Sequence, residues 1–90
     1  MAVTQEAINR AVEITKQFGV SKLVLFGSAV DDIQNAEDLD FAVEGVKGWD
    51  IIRLAAISED ELKINVDVVP IEPNNKFIAH ILNYGKVLYS

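Results

Sequence analysis

The chain has 90 residues, half of them hydrophobic, and a net charge of −6 at pH 7. This length allows one domain, predicted to span residues 1–90, because two cores would each be too small to be stable. The acidic balance argues against direct nucleic-acid binding, and the absence of cysteine excludes disulfides and thiolate zinc sites. No apolar run approaches the ~18 residues that span a bilayer, and the N-terminus lacks a signal-peptide pattern, so a cytoplasmic location is predicted.

The first half of the chain predicts one helix followed by two strands. Apolar residues at three- and four-residue spacing predict a helix from Thr4 to about Phe18. The sequence KLVLF at 22–26 predicts a buried strand, which is followed by a polar loop through Glu37. Asp38–Glu44 alternates polar and apolar residues and predicts a second strand. The short connection between the two strands favours antiparallel pairing.

The second half predicts two more helices, each followed by a strand. The predicted elements are a helix from Asp50 to about Glu61, a strand over Lys63–Pro70, a helix over Asn74–Asn83 and an edge strand over Lys86–Tyr89. The apolar residues expected on the buried side of the first of these helices are Ile51, Ile52, Leu54, Ala55 and Leu62. A strand–helix–strand unit favours parallel strands with a right-handed crossover. The order α-β-β-α-β-α-β therefore predicts an α/β (α+β) fold, in which helices pack against a mixed sheet.

Two carboxylates lie on one face of the second predicted strand. Asp38 and Asp40 are two residues apart, so their side chains project from the same side. Like charges this close repel each other unless a cation or a proton intervenes. Mg²⁺ favours one or two carboxylates together with substrate phosphates, which would suit this pair. The alternative is a solvated strand end with ordinary acidic residues.

A third aspartate occupies an unusual position. Asp67 lies within the apolar sequence VDVV at 66–69, where a buried carboxylate without a partner is costly. An edge position or a neighbouring Lys63 would relieve that cost. A role as a third metal ligand would relieve it as well, if this strand lies beside the one that carries Asp38 and Asp40.

The dipeptide Gly27-Ser28 directly follows the first predicted strand. A glycine there allows close approach of the backbone to a ligand, and exposed N–H groups with a hydroxyl can hold a phosphate. Taken alone, most such dipeptides are plain turns.

Together, LFGS at 25–28, DLDF at 38–41 after nine intervening residues, and VDVV at 66–69 resemble the DNA-polymerase-beta-type nucleotidyltransferases. The resemblance is strongest to the minimal nucleotidyltransferase (MNT) branch and covers nearly the whole chain. It implies that Asp38 and Asp40 hold divalent metal (Mg²⁺ or Mn²⁺) and that Asp67 is the third ligand and activates the nucleophile. It also implies that Gly27 and Ser28 bind the β- and γ-phosphates of ATP or another nucleoside triphosphate.

The resemblance further implies transfer of a nucleoside monophosphate, most plausibly AMP, to an acceptor. Members of the MNT branch often pair with a small HEPN-domain protein, and some act as antitoxins that adenylylate the HEPN toxin on tyrosine. A HEPN-type partner is therefore expected.

One departure from the branch pattern keeps a second hypothesis open. The branch typically carries Arg or Lys one or two places after the serine, where this chain has Ala29 and Val30. Lys22, Arg53 and Lys63 are candidate substitutes. The alternative function is a catalytically degenerate binding module that neutralises a HEPN-type partner by contact alone. A structural domain with incidental acidic residues is a third interpretation.

Four further side chains are interpreted without a catalytic role. Trp49 is expected to be a packing anchor, and Tyr84 and Tyr89 to be packing residues. His80 is expected at a surface or half-buried position.

Overall fold

The computed structural model describes residues 3–72 and 75–90. These residues form four helices and four strands: α1 (Gln5–Gln17), β1 (Lys22–Phe26), α2 (Ser28–Asp31), β2 (Asp38–Glu44), α3 (Trp49–Leu62), β3 (Asn65–Pro70), α4 (Lys76–Tyr84) and β4 (Lys86–Tyr89). Within the described residues, no helix is long and apolar enough to cross a membrane.

The four strands form one mixed sheet in the order β3-β2-β1-β4. β1 pairs antiparallel with β2, and β2 pairs parallel with β3. β4 lies at an edge, antiparallel to β1. The predicted α+β fold with a mixed sheet is confirmed, as are the antiparallel, parallel and edge positions of the individual strands.

The two faces of the sheet are covered unequally. The main core lies between the sheet and helices α1 and α3, and its fully buried side chains include Leu23, Leu39, Phe41, Val43, Leu54 and Val66. On the opposite face α4 places Ile78 and Ile81 against Val24 and Ala42. This second cluster is small, and the beginnings of β2 and β3 beside it carry polar side chains.

Helix α1 has the ends that its sequence predicts. The Thr4 side chain accepts a hydrogen bond from the backbone N–H of Ala7 at 3.1 Å. Such an N-cap contributes about 1 kcal/mol. Ile8, Ala11 and Ile14 are buried against the sheet.

Three boundaries differ from the sequence-based prediction. Ser28–Asp31, predicted to be loop, forms the single helical turn α2, which is too short to show a periodic pattern. β3 begins at Asn65 because Lys63 ends α3 in a left-handed conformation with φ of 59°. α4 begins at Lys76 with Asn75 as its cap, while the predicted start at Asn74 lies outside the described residues.

Several predicted packing residues are instead exposed. Ile52 is 58% exposed, whereas Leu54 is fully buried. Two residues correspond to about 200° around a helix, so the two side chains cannot share a face. Trp49 and Tyr84, at 79% and 71% exposure, are also not packing residues. Tyr89 is half-buried as expected.

Candidate active site

The strand register brings two of the three aspartates side by side. Asp40 is the partner of Asp67 in the parallel β2–β3 pair and of Phe26 in the antiparallel β1–β2 pair. Partners in adjacent strands project from the same face of a sheet. Asp40, Asp67 and Phe26 therefore form one row across three strands, and Asp38 lies on the same face two residues before Asp40.

The carboxyl group of Asp40 lies in an environment that disfavours its charge. Its pKa is raised above the ordinary value, first because the group is partly buried and then because the negative charge of Asp67 lies beside it. The hydrogen bond that the protonated Asp40 carboxyl can donate to Asp67, and the charge of Asp38, raise the pKa further. The three carboxylates therefore interact electrostatically, with Asp40 at the centre.

Asp38 is hydrogen-bonded to a residue other than these two aspartates. Its register partner is Asn65 at the start of β3, and the Asn65 amide donates a hydrogen bond from Nδ2 to Asp38 Oδ1 at 3.2 Å. Over residues 3–72 and 75–90, no three His, Cys, Asp or Glu side chains are grouped closely enough to hold a metal ion. The two carboxylates in closest register are Asp40 and Asp67, and the three-ligand set remains a prediction.

Gly27 fits directly against Asp40. It has a positive φ of 79°, a conformation that glycine adopts without steric cost. A Cβ at this position would collide with Asp40 Oδ2 and would lie 3.1 Å from Asp40 Cγ. The absence of a side chain at residue 27 thus lets the Asp40 carboxylate lie directly against the backbone, where Ser28 begins α2.

The three basic residues considered as substitutes for the Arg or Lys expected after Ser28 do not lie at the Gly-Ser turn. Arg53 lies on α3, on the opposite face of the sheet, and contacts Asp50 at 3.2 Å. Lys63 pairs with Asp60 at 3.7 Å at the end of α3. Lys22 is on the same strand as Phe26 but four residues away, which is about 13 Å along a strand.

The comparison with known families matches almost the whole chain. A profile of the family described as "Polymerase beta, Nucleotidyltransferase" matches residues 9–90. The chain belongs to this nucleotidyltransferase family. The matched range contains the Gly-Ser turn and all three aspartates. A comparison with curated proteins found no match.

Solved structures with the same fold come from toxin–antitoxin complexes. A chain of the MntA–HepT complex superposes with a TM-score of 0.75 at 19% identity, covering 97% of this chain and 73% of that one. A chain from the complex of tri-AMPylated Shewanella oneidensis HEPN toxin with MNT antitoxin has a TM-score of 0.76 at 21% identity, covering 96% and 71%. A toxin–antitoxin structure with AMP-PNP gives 0.78 at 21% identity, covering 91% and 72%. At these identities the likeness establishes the fold.

The structure has a groove beside the Gly-Ser turn of this nucleotidyltransferase domain, which the sequence analysis does not predict. It lies between α2 and α4, has a volume of about 480 Å³, and is lined in part by Gly27, Ser28, Phe77, His80 and Tyr84. His80 is exposed, in agreement with the prediction of a surface or half-buried position. The spacing of residues 77, 80 and 84 along one helical stripe is the sequence signal that could have revealed the groove.

Proposed function

We propose that this protein is a metal-dependent nucleotidyltransferase that transfers a nucleoside monophosphate, AMP from ATP, to an acceptor. The observation that carries the proposal is the row formed by Asp40 and Asp67 beside Gly27, whose lack of a side chain lets the Asp40 carboxylate lie against the backbone of the Gly-Ser turn. Family membership supplies the reaction class. The arrangement of these residues supplies the reason to expect activity in this chain.

The donor set suits a hard divalent cation. Asp40 and Asp67 offer oxygen ligands. Burial and then the charge of Asp67 raise the pKa of Asp40, and a bound cation would relieve the repulsion between the two carboxylates. Asp38 would join them by releasing Asn65. Bound Mg²⁺ would neutralise phosphate charge and stabilise both the attacking and the leaving oxygen.

The protein groups would position the reactants for in-line displacement. Gly27 and Ser28 would bind the β- and γ-phosphates, leaving the α-phosphate near Asp40. The acceptor hydroxyl, oriented by Asp67, forms a bond to the α-phosphorus and gives its proton to that carboxylate. The bond to the oxygen that bridges the α- and β-phosphates breaks, and pyrophosphate leaves with the electron pair.

The acceptor we propose is a HEPN-type partner protein. Support comes from the neighbouring structures, which are complexes of MNT antitoxins with HEPN toxins, one of them tri-AMPylated. Asp67 is exposed on the edge strand β3, so a partner would have access to it. The domain would then act as an antitoxin by modifying the partner.

A second candidate function is neutralisation of the partner by contact alone. It is favoured by one observation: Ala29 and Val30 occupy the positions after Ser28 where a cation is expected. A charged hydrogen bond of this kind contributes about 1.5–3 kcal/mol. Its loss would weaken triphosphate binding without affecting a contact surface.

Transfer of label from ATP that carries ³²P at the α-phosphate would decide between the two. With Mg²⁺ and a co-expressed HEPN partner, we expect labelled partner from the wild type and none from an Asp40→Asn/Asp67→Asn variant. That variant should still bind the partner and fail to neutralise it. Asp60→Asn, which removes an exposed carboxylate on α3, is the matched control. Full neutralisation by the double variant would establish the contact-only function instead.

A further inference from the structure

Glu59 lies near the end of α3 and contacts the strand that follows it. Its Oε1 atom accepts a hydrogen bond from the backbone N–H of Val66 at 3.2 Å. Its own backbone carbonyl accepts a hydrogen bond from the N–H of Lys63 at 2.9 Å, where the chain leaves α3. Glu59 therefore holds both sides of the short turn between α3 and β3, one through its main chain and the other through its side chain.

The residues on either side of Val66 face the candidate site. Asn65 donates a hydrogen bond to Asp38 at 3.2 Å, and Asp67 is the register partner of Asp40. Val66 itself points to the opposite face, where its side chain is buried in the main core. The hydrogen bond at the Val66 N–H therefore fixes a backbone segment whose two flanking side chains lie beside the candidate carboxylates.

The strand that carries Asp67 is the edge strand β3 of the sheet. An edge strand has a row of backbone groups that no neighbouring strand satisfies. α3, by contrast, is held firmly by the core, since Leu54 is fully buried and Ser58, the residue before Glu59, is 2% exposed. The Glu59 side chain thus connects a well-packed helix to the backbone of the edge strand.

A carboxylate at this end of a helix is not explained by helix stability. Glu59, Asp60 and Glu61 lie near the C-terminus of α3, where the helix dipole disfavours negative charge. Lys63 pairs with Asp60 at 3.7 Å. Arg10 pairs with Glu61 at 2.8 Å. The Glu59 carboxylate accepts a hydrogen bond from β3, and this contact accounts for a residue that the helix itself disfavours.

We propose that Glu59 is a positioning residue of the metal site, whose hydrogen bond to the Val66 N–H keeps Asp67 beside Asp40. The proposal rests on the proposed function, because it requires these two aspartates to bind a divalent cation. Glu59 acts through the strand and is not itself a ligand. The property that matters is the length of its side chain, which brings an acceptor oxygen to β3, and not its charge.

The test separates length from charge, with binding of Mn²⁺ alone measured by isothermal titration calorimetry. Glu59→Asp keeps the charge but is one methylene shorter, and it should weaken Mn²⁺ binding by about tenfold, as loss of an outer contact of a metal site typically does. Glu59→Gln keeps the length and the acceptor oxygen and should bind Mn²⁺ like the wild type. Glu61→Asp makes the same shortening two residues further along α3 and should leave the affinity unchanged.

A second control removes loss of stability as an explanation. Thr4→Ala deletes a side-chain acceptor of a backbone N–H at the start of α1, which covers the opposite face of the sheet. It should lower the melting temperature without changing the affinity for Mn²⁺. If Glu59→Asp is unfolded at the temperature of the titration, Glu59→Ala removes the same acceptor with a residue that favours the helix and should show the same loss.

Each outcome distinguishes the positioning role from the proposed function. Equal Mn²⁺ affinities in Glu59→Asp and the wild type would overturn the positioning role and leave the metal site standing. An equally large loss in Glu59→Gln would also overturn it, because charge would then be the property that matters. A wild type that binds no Mn²⁺ would overturn both proposals.

Discussion

At the scale of single residues, Asp40 connects the electrostatics of the domain to its proposed chemistry. Burial raises the pKa of its carboxyl group, and the neighbouring charges of Asp67 and Asp38 raise it further. Such a group destabilises the metal-free fold when it is ionised and stabilises the fold when a cation binds. Stability measured with and without metal therefore reports on the site independently of any transfer assay.

Replacing Asp40 with asparagine should separate these two effects. Asp40→Asn should slightly raise the melting temperature of the metal-free protein, because it removes like-charge repulsion. In the wild type, Mg²⁺ or Mn²⁺ at 100 times its Kd should raise the unfolding free energy by about 2.7 kcal/mol. The variant should lose this shift, and Asp60→Asn should keep it. A metal-induced shift of unchanged size in Asp40→Asn would contradict the metal site.

Gly27 allows a matched comparison with a second glycine. Gly27 and Gly48 have similar backbone angles, with φ of 79° and 65°. Substitution by alanine at either position incurs the cost of a positive φ, about 1–2 kcal/mol. Only at Gly27 would the new Cβ meet the Asp40 side chain, since nothing lies within 4 Å at Gly48.

We therefore expect Gly27→Ala to cost more stability than Gly48→Ala in urea denaturation. It should also lower AMP transfer by at least about tenfold, as the loss of more than 1.4 kcal/mol of transition-state stabilisation would. Gly48→Ala should leave transfer at the wild-type level. Equal transfer by the two variants would show that the close approach of Gly27 to Asp40 has no role in the reaction.

At the scale of helices and strands, patterned segments were predicted well and unpatterned ones were not. The alternation in Asp38–Glu44 and the apolar sequence at 22–26 determine two central strands, because one register alone buries Leu39 and Phe41. α2 has four residues and therefore shows no helical period. Exposure of Ile52 depends on which stripe of α3 meets the sheet, and an apolar pattern that includes residues 51, 52, 54 and 55 leaves that choice open.

Tyr89 connects β4 to α1 through hydrogen bonds. Its hydroxyl donates to the Val20 carbonyl at 3.1 Å and lies 2.8 Å from Thr15 Oγ1, with which it also hydrogen-bonds. Burial raises the pKa of Tyr89, and the hydrogen bond with Thr15 partly opposes the rise. The folded state thus holds the phenolic proton more tightly than the unfolded state does.

The contribution of Tyr89 to stability should be complete below about pH 10, the ordinary tyrosine pKa, and should be lost as the pH rises through the higher folded pKa. Tyr89→Phe should cost about 1 kcal/mol at pH 8. It should also have a flatter decline above about pH 10, measured by urea denaturation. Tyr84→Phe, at an exposed tyrosine, should follow the wild-type profile. A parallel decline in Tyr89→Phe and the wild type would contradict the assignment.

At the scale of the whole molecule, the ion pairs lie away from the candidate aspartates Asp38, Asp40 and Asp67. In the described part of the chain, the ion pairs join side chains of α1 and α3 or of the end of α3: Arg10–Glu13, Arg10–Glu61, Arg53–Asp50 and Lys63–Asp60. These helices cover the opposite face from Asp40. None of these cations is paired with the candidate aspartates, whose negative charge would repel a triphosphate unless divalent metal is present.

Only part of the candidate site could be predicted from the sequence, because the rest depends on how elements distant in the chain pack together. Asp38 and Asp40 could be placed on one side of the sheet because their spacing on a strand fixes it, whereas the place of Asp67 depended on whether its strand lies beside theirs. The hydrogen bond between Asp38 and Asn65 depends on the exact β2–β3 register. The aromatic groove depends on how α4 lies against α2, which local sequence patterns do not determine.

Among the described residues that line the groove beside the Gly-Ser turn, none is Lys or Arg, which gives a final prediction about phosphate binding. Chelation of divalent metal should abolish tripolyphosphate binding, because the wild type then offers backbone N–H groups and a serine hydroxyl beside several carboxylates. An introduced arginine should restore part of the tripolyphosphate binding. Burial determines which of the two positions after Ser28 can accept it. Ala29 is 4% exposed, so arginine there would disrupt the core, whereas Val30 is half-buried and lines the groove with Gly27 and Ser28.

We expect Val30→Arg to tighten Mg²⁺-tripolyphosphate binding by about tenfold to a hundredfold, through a charged hydrogen bond of roughly 1.5–3 kcal/mol. It should also leave measurable binding after chelation, where the wild type has none. Val30→Gln, which is long and polar but uncharged, controls for side-chain length and should bind like the wild type. Isothermal titration calorimetry with and without EDTA measures all three proteins. Retention of tight tripolyphosphate binding by the chelated wild type would show that a cation of this chain already reaches the phosphates.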